Sequence, residues 1–321
     1  MGVASESGRA QRLFCACLLL VLTGCAAPPL TRALLDRGRA DLPPRVELTR
    51  TPFYAQTDHQ CGPASLAMAI EAAGAPASPD ELSTQVYLPG RKGSLALEML
   101  VAARRHGMLA VELPTSLHDL LAEVAHGTPV VVLQNNGLDW LPVWHYAVVI
   151  GYDLDAGDIV LRSGHQRRLV IPLATFERTW ARAKHWAMVV MQPGQLPATV
   201  SETSYLAATA ALEKSGSPGR AELAYRTALL RWPDSLTALI GLGNTLYARG
   251  DLAAATDAFR RAVEHHPDAA PAFNNLAQVL AEQGRFQEAL TAARRAVELG
   301  GPYLSIARET LQAIQRQSAA H

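Results

Sequence analysis

PFYAQTDHQCGPASLAM (residues 52–68) places a cysteine, Cys61, where an extended stretch turns into a helix. From Cys61 to Gly74 the apolar positions Leu66, Ala69, Ile70 and Ala73 recur at helical spacing, Pro63 suits the first turn, and Gly74 stands at the C′ position. A thiol attacks a carbonyl as its thiolate, and the partial positive charge of a helix N-terminus favours that form. Such a nucleophile also needs an imidazole to take its proton and pass it to the leaving amine. WHYAVVIGY (144–152) supplies one: His145 opens a β-branched run whose later residues read as buried, so its ring is expected at a sheet end. The Cys61 backbone amide and a nearby glutamine side chain, Gln56 or Gln60, would serve a developing oxyanion.

Around this pair helices come first and strands afterwards. SPDE (78–81) has the spacing of a capping box and opens a second helix, and a third is expected from Ser94 to His106. LAVEL (109–113), PVVVLQ (129–134), DIVLRS (158–163), RLVIPL (168–173) and HWAMVVMQ (185–192) read as strands beside the histidine segment. Helices at 116–126 and 174–182 interrupt them. The result is an α+β domain with a mainly antiparallel sheet over 46–197, closed by Pro193, Gly194 and Pro197. Trp140, Trp144, Trp180 and Trp186 are expected as core and cleft wall, and Arg167 and Arg168 as decoration of an exposed strand face.

PFYAQTDHQCGPASLAM, followed 84 residues after the cysteine by HYAVVIGYD (145–153), resembles the bacteriocin-leader-processing cysteine peptidases. The resemblance covers roughly residues 46–195 and is most specific at Gln-x4-Cys-Gly-Pro-Ala and His-Tyr-Ala-Val-Val. It implies a papain-like fold and a cysteine peptidase with Cys61 as nucleophile, His145 as general base and Gln56 as the oxyanion-hole glutamine. Gln56 lies one residue nearer the cysteine than in the best-known members, which leaves Gln60 open. The family's third catalytic residue, an Asp or Asn usually followed by Pro, lies on the strand after the histidine strand; here that point carries Ser163-Gly164. Asp153, Asp155 or Asp158 would supply the charge a hydroxyl lacks, but they sit about 20 Å away if the histidine strand is straight. The expected site is therefore a Cys61 and His145 dyad with Ser163 as a weak orienter. The relatives cleave after a double glycine while fused to a transporter, and that specificity is not carried over.

At the N-terminus Arg9 and Arg12 precede an apolar run from Leu13 to Leu22 and then LTGC (22–25), the layout of a cleaved export signal over 1–24. About 20 apolar residues are needed to span a bilayer, and this run is half that. LTGC resembles the bacterial lipobox, which implies that Cys25 carries lipid, palmitate included. The chain is then anchored to a bacterial membrane in the cell envelope, facing the periplasm or exterior. Pro28, Pro29, Pro43 and Pro44 make 25–45 read as a tether. Cys15 and Cys17 leave with the signal, so Cys61 alone remains in the globular part and neither a disulfide framework nor a cysteine-based zinc site can form there. His59, His106, His126, His165, His185, His265 and His266 show no ligand spacing, and no cofactor or metal is expected. Lysines plus arginines number 29 and acidic residues 29, so no net field draws nucleic acid.

From residue 202 the sequence repeats every 34 positions: Gly216, Gly250 and Gly284 share one register, Tyr205, Leu239 and Phe273 another, Ala221, Ala255 and Ala289 a third, and Pro233 and Pro267 close units. This resembles the tetratricopeptide pattern, in units at about 202–235, 236–269 and 270–303 with a capping helix to 316, an all-α domain. The middle unit matches best, through Leu242-Gly243 and Phe259; the first is weaker, with Ala208-Thr209 at the Leu-Gly position. The unbroken register and the linker prolines predict a separable domain that recruits the polypeptide substrate or a protein partner. Two other functions stay open beside the peptidase: a non-catalytic envelope scaffold that binds peptide, and thiol-dependent acyl transfer on a non-peptide amide.

Overall fold

The β-branched runs pair into one antiparallel sheet in this computed structural model, which describes residues 27–37, 41–56 and 59–320. The expected export signal 1–24 and the expected lipidation site Cys25 lie outside the described residues. In chain order the first domain comprises α1 (Pro29–Arg37), β1 (Arg45–Glu47), α2 (Cys61–Ala72), α3 (Pro79–Val86), a small hairpin of β2 (Tyr87–Leu88) and β3 (Gly93–Ser94), α4 (Ala96–Arg105) and β4 (Leu109–Glu112). It continues through α5 (Leu117–Ala125), β5 (Val130–Asn135), β6 (Trp144–Asp153), β7 (Asp158–Ser163), β8 (Gln166–Pro172), α6 (Leu173–Ala181) and β9 (Ala187–Met191). The main sheet runs β4-β9-β5-β6-β7-β8, with β1 added against the far end of β6.

Strand side chains alternate between faces, and here both faces are covered, which is why β5 reads as an unbroken apolar run. Val131, Tyr146, Val148 and Ile150 point to the side where Leu66, Met68 and Ile70 of α2 pack. Val130, Val132, Ala147 and Val149 point to the opposite side, among Leu120, Leu121 and Val124 of α5 and Phe176 and Trp180 of α6. The cysteine helix thus lies on one sheet face, and the fold class read from the sequence is the observed one.

The described part of the span 25–45, residues 27–37 and 41–45, is not the free tether its prolines suggest. Pro29–Arg37 forms a helix packed on α5 and α6, with Leu34 buried. Its N-terminal amides have no partner within the helix and need acceptors, and the buried Glu177 carboxylate of α6 provides them: it accepts from the Leu30 N–H at 2.9 Å, the Thr31 N–H at 2.5 Å and the Thr31 hydroxyl at 2.6 Å. Proline at the first helical position loses no bond there, so Pro29 starts a helix where a tether was expected.

The repeats follow as paired helices: α7 (Glu202–Lys214) and α8 (Pro218–Arg231), α9 (Leu236–Ala248) and α10 (Leu252–His265), α11 (Ala270–Glu282) and α12 (Phe286–Leu299), then α13 (Leu304–Ala319) as cap. Even the weak first unit closes properly. The repeats are also docked on the first domain, which the reading of a separable domain did not anticipate. Tyr205, Leu206 and Leu212 of α7 join the apolar cluster that holds Leu109 and Val111 of the edge strand β4. The Tyr205 hydroxyl donates to the carbonyls of Pro193 and Gln195, and Thr199 donates through its N–H and hydroxyl to the buried Glu123 carboxylate, each at 2.8 Å. Covering β4 removes an exposed sheet edge.

Candidate active site

Cys61 is the first residue of α2, half-buried, and Gln60 before it makes no side-chain cap. The helix start leaves backbone N–H groups without intrahelical partners. Those of Cys61 and Gly62, with the N–H of Tyr146 on β6, turn toward the sulfur. Burial nevertheless dominates and pushes the thiol up from its ordinary value. The desolvation of a negative sulfur thus opposes, and exceeds, the help of the three amides.

His145 is the second residue of β6 and its Nε2 lies 2.8 Å from the Ser163 hydroxyl oxygen at the end of β7. Burial alone lowers its pKa, favouring the neutral ring. Tyr146, next in the strand, brings its backbone to Cys61, so β6 holds the His145 imidazole and an amide facing the Cys61 sulfur on consecutive residues. The three aspartates weighed as alternative orienters sit at the far end of the sheet, where Asp153 of β6 pairs with Asp158 of β7 and faces Arg45. Ser163 is the residue at the imidazole.

Gln56 is brought to the same region but turned inward. Its amide donates to the Ser65 hydroxyl at 3.1 Å and to the Tyr146 carbonyl at 3.4 Å, and its oxygen accepts the Gly164 N–H at 2.9 Å. Its backbone N–H reaches the Gly164 carbonyl at 3.0 Å. An amide has two donor hydrogens, and both are engaged, so the oxyanion role expected of Gln56 is corrected to that of a buried clamp joining α2, β6 and the turn after Ser163. Gln60 is the glutamine left beside Cys61, on the wall of a cavity of about 1080 Å³ that Tyr54, Ala64, Pro79 and Tyr87 also line.

One contributor escaped the sequence reading. The β2–β3 hairpin crosses the start of α2, where a Cβ on Gly62 would sit 2.3 Å from the Ser94 hydroxyl oxygen; glycine after the cysteine is required by that approach. Trp186, expected as core and cleft wall, packs edge-on against Tyr146 with ring centroids 5.8 Å apart and, with Trp144 and Leu133, walls a second cavity of about 360 Å³. Strands of two residues carry no periodicity, so nothing in the chain announced the hairpin.

Residues 48–188 match the Peptidase_C39 like family, and residues 205–264 and 242–303 match tetratricopeptide repeats. Among solved structures, a protein described as a C39-like peptidase from Bacillus anthracis is 21% identical, with a TM-score of 0.39, over 46% of this chain and 97% of that one. The type III secretion translocator chaperone SycD of Yersinia enterocolitica is 17% identical, with a TM-score of 0.35, over 38% of this chain and 90% of its own. YrrB, a TPR protein with an unusual peptide-binding site, is 23% identical, with a TM-score of 0.30, over 38% of this chain and 71% of its own. No curated protein matches the chain.

Proposed function

We propose that this chain, which carries a Peptidase_C39-like domain joined to tetratricopeptide repeats, is a cysteine peptidase of the bacterial cell envelope acting on an exported polypeptide. The observation that carries the reading is the convergence of α2, β6 and β7: the Cys61 sulfur at a helix start facing the Tyr146 N–H, and the preceding residue's imidazole fixed by Ser163. With Nε2 donating to the Ser163 oxygen, Nδ1 is the nitrogen left to take the thiol proton. Cys61 then attacks the substrate carbonyl, the Cys61 backbone N–H and the Gln60 side chain receive the oxyanion, and His145 returns the proton to the leaving amine. Water hydrolyses the resulting thioester.

The resting pair in this reading is neutral, with the proton moving only as the substrate arrives. Repeats of this kind recruit proteins or peptides, and here the first repeat helix packs against the sheet, so a polypeptide held on them is presented to the same domain that carries Cys61. Cys25 is the proposed lipid attachment point.

Incubating the chain with an unstructured polypeptide and mapping the fragments by mass spectrometry tests the activity: cleavage by the wild type and none by Cys61→Ala is expected. A Cys61 that labels slowly at every pH, with no fragments, would favour the non-catalytic peptide-binding scaffold instead.

A further inference from the structure

Five of the exposed large apolar side chains fall within seven residues of the β5–β6 connection: Leu138 at 53%, Trp140 at 79%, Leu141 at 61%, Val143 at 56% and Trp144 at 53% exposed. The loop that presents them is built rather than slack. The side-chain oxygen of Asn135, itself 1% exposed, accepts the N–H groups of Gly137 and Val143 at 2.9 Å each, and Leu138 and Leu141 exchange N–H to carbonyl bonds of 3.1 Å. At Gly137 a Cβ would meet the Leu141 carbonyl at 2.3 Å, so the tight turn admits glycine alone. A fold that spends a buried side chain on holding a tryptophan out in water is presenting it to something. Of the five, Trp144 alone lines the cavity of about 360 Å³ that Leu133 and Trp186 wall.

The identity of that surface follows from where the chain enters the domain. Leu30 and Thr31 are fixed to Glu177 in the middle of α6, and the end of the same helix holds the loop's base, with Arg182 donating to the Asn135 carbonyl at 2.9 Å and Thr179 bonded to Gln134. Five residues of helix separate the two attachments, about 8 Å at 1.5 Å per residue. The described chain therefore begins, at Ala27, two residues after Cys25 in the sequence and near the foot of the loop. Arg182 and exposed Lys184 flank Trp144 there, and Asp139 is the single charge between Asn136 and Val143. Tryptophan and leucine backed by cations are the composition of a protein edge seated at the headgroup level of an anionic bilayer.

We propose that the loop Leu138–Val143 is a membrane-interface wedge that seats Trp140 and its apolar neighbours in the bilayer surface. This rests on the reading that Cys25 anchors the chain. The wedge then runs into the strand that carries His145, and the substrate on this reading is a polypeptide segment held close to the bilayer.

The test uses the full, membrane-derived chain reconstituted into phosphatidylethanolamine and phosphatidylglycerol vesicles with brominated acyl chains, which quench buried indoles. Wild-type emission should contain a quenched component that disappears in Trp140→Phe, a change that keeps an apolar ring but removes the reporter. Equal quenching in both chains, or no quenching of a wild type that co-sediments with the vesicles, overturns the wedge. So does a Trp140 emission that shifts on adding soluble casein yet ignores brominated lipid, which would make the loop a substrate flap. The anchor is read separately, by whether Cys25→Ala leaves the membrane fraction.

Discussion

His145 Nε2 stands 2.8 Å from the hydroxyl oxygen of Ser163, so the imidazole is oriented by a neutral group where a carboxylate or carboxamide would give more. A hydroxyl fixes the tautomer but does little for the imidazolium formed when the thiol proton arrives. Cys61→Ala and His145→Ala should each abolish cleavage. Ser163→Ala should lower kcat/KM only about tenfold to a few tens. Ser163→Asp should move the pH limb that reports the neutral imidazole upward, because a carboxylate stabilises the charged ring. A greater loss at Asp153, Asp155 or Asp158 than at Ser163, in folded variants, contradicts the assignment.

Burial pushes the Cys61 thiol up and holds the His145 imidazole below its ordinary value. A thiol raised in this way stays protonated until the pH passes the ordinary thiol value of about 8.5. The rate of alkylation of Cys61 by iodoacetamide should therefore still be climbing above that pH. A rate that levels off below neutrality would show a preformed thiolate and imidazolium pair. Lowering of the imidazole pKa keeps the base competent on the acid side, so the acid limb of kcat/KM should fall below about 6.5.

The two glutamines separate structure from chemistry. Gln56→Ala removes the partner of the Gly164 N–H and of the Ser65 hydroxyl in a buried place, and should destabilise the chain by roughly 1–3 kcal/mol per group left unpaired. Gln60→Ala breaks no hydrogen bond of this kind, and should leave the melting temperature in place while lowering kcat by about a hundredfold or more if it is the oxyanion donor. Melting curves and kinetics on the two variants together decide the matter; a Gln56 variant with unchanged stability and lost kcat would restore the role first expected of it.

The strands and helices of the α+β domain were legible because each is long enough to show its period: β6 covers Trp144–Asp153 and the capping-box serine, Ser78, accepts the Glu81 N–H at 3.2 Å as its spacing implies. Cys61, His145 and Ser163 could be found because each stands at the end of such an element. What stayed hidden depends on contacts between distant parts. Glu177 receives α1 from 146 residues away, and no local pattern marks an interior glutamate as a helix cap. Gln56 points inward because Gly164, 108 residues on, arrives to meet it. The prolines of 25–45 were read for what they forbid, whereas Pro29 stands at the one helical position where proline is harmless.

The latch on α1 gives its own prediction. Glu177→Ala leaves two backbone amides and the Thr31 hydroxyl unpaired at a buried helix start, and should free α1 so that a trypsin-like protease cuts at Arg32 or Arg37 in the variant faster than in the wild type. Equal cutting would mean that Leu34 and its apolar contacts hold the helix unaided.

Cutting the chain after residue 197 should damage the domain that remains. The first repeat helix covers the edge strand β4, and the cluster around Leu109 and Val111 includes Tyr205, Leu206 and Leu212. Each large apolar side chain returned to water costs about 1.5–3 kcal/mol, and Glu123, fully buried, loses both hydrogen bonds from Thr199. A domain of ordinary stability, about 5–15 kcal/mol, does not absorb such losses unnoticed. The fragment ending at 197 should melt several degrees below the full chain, bind a dye for exposed apolar surface and show altered Cys61 labelling. The milder change Tyr205→Phe keeps the packing and removes only the bonds to the Pro193 and Gln195 carbonyls. It should shift the melting of both parts together, because one core spans them. A fragment that melts as the full chain does and labels at the same rate would show that the repeats merely rest on the sheet, as the separable reading first supposed.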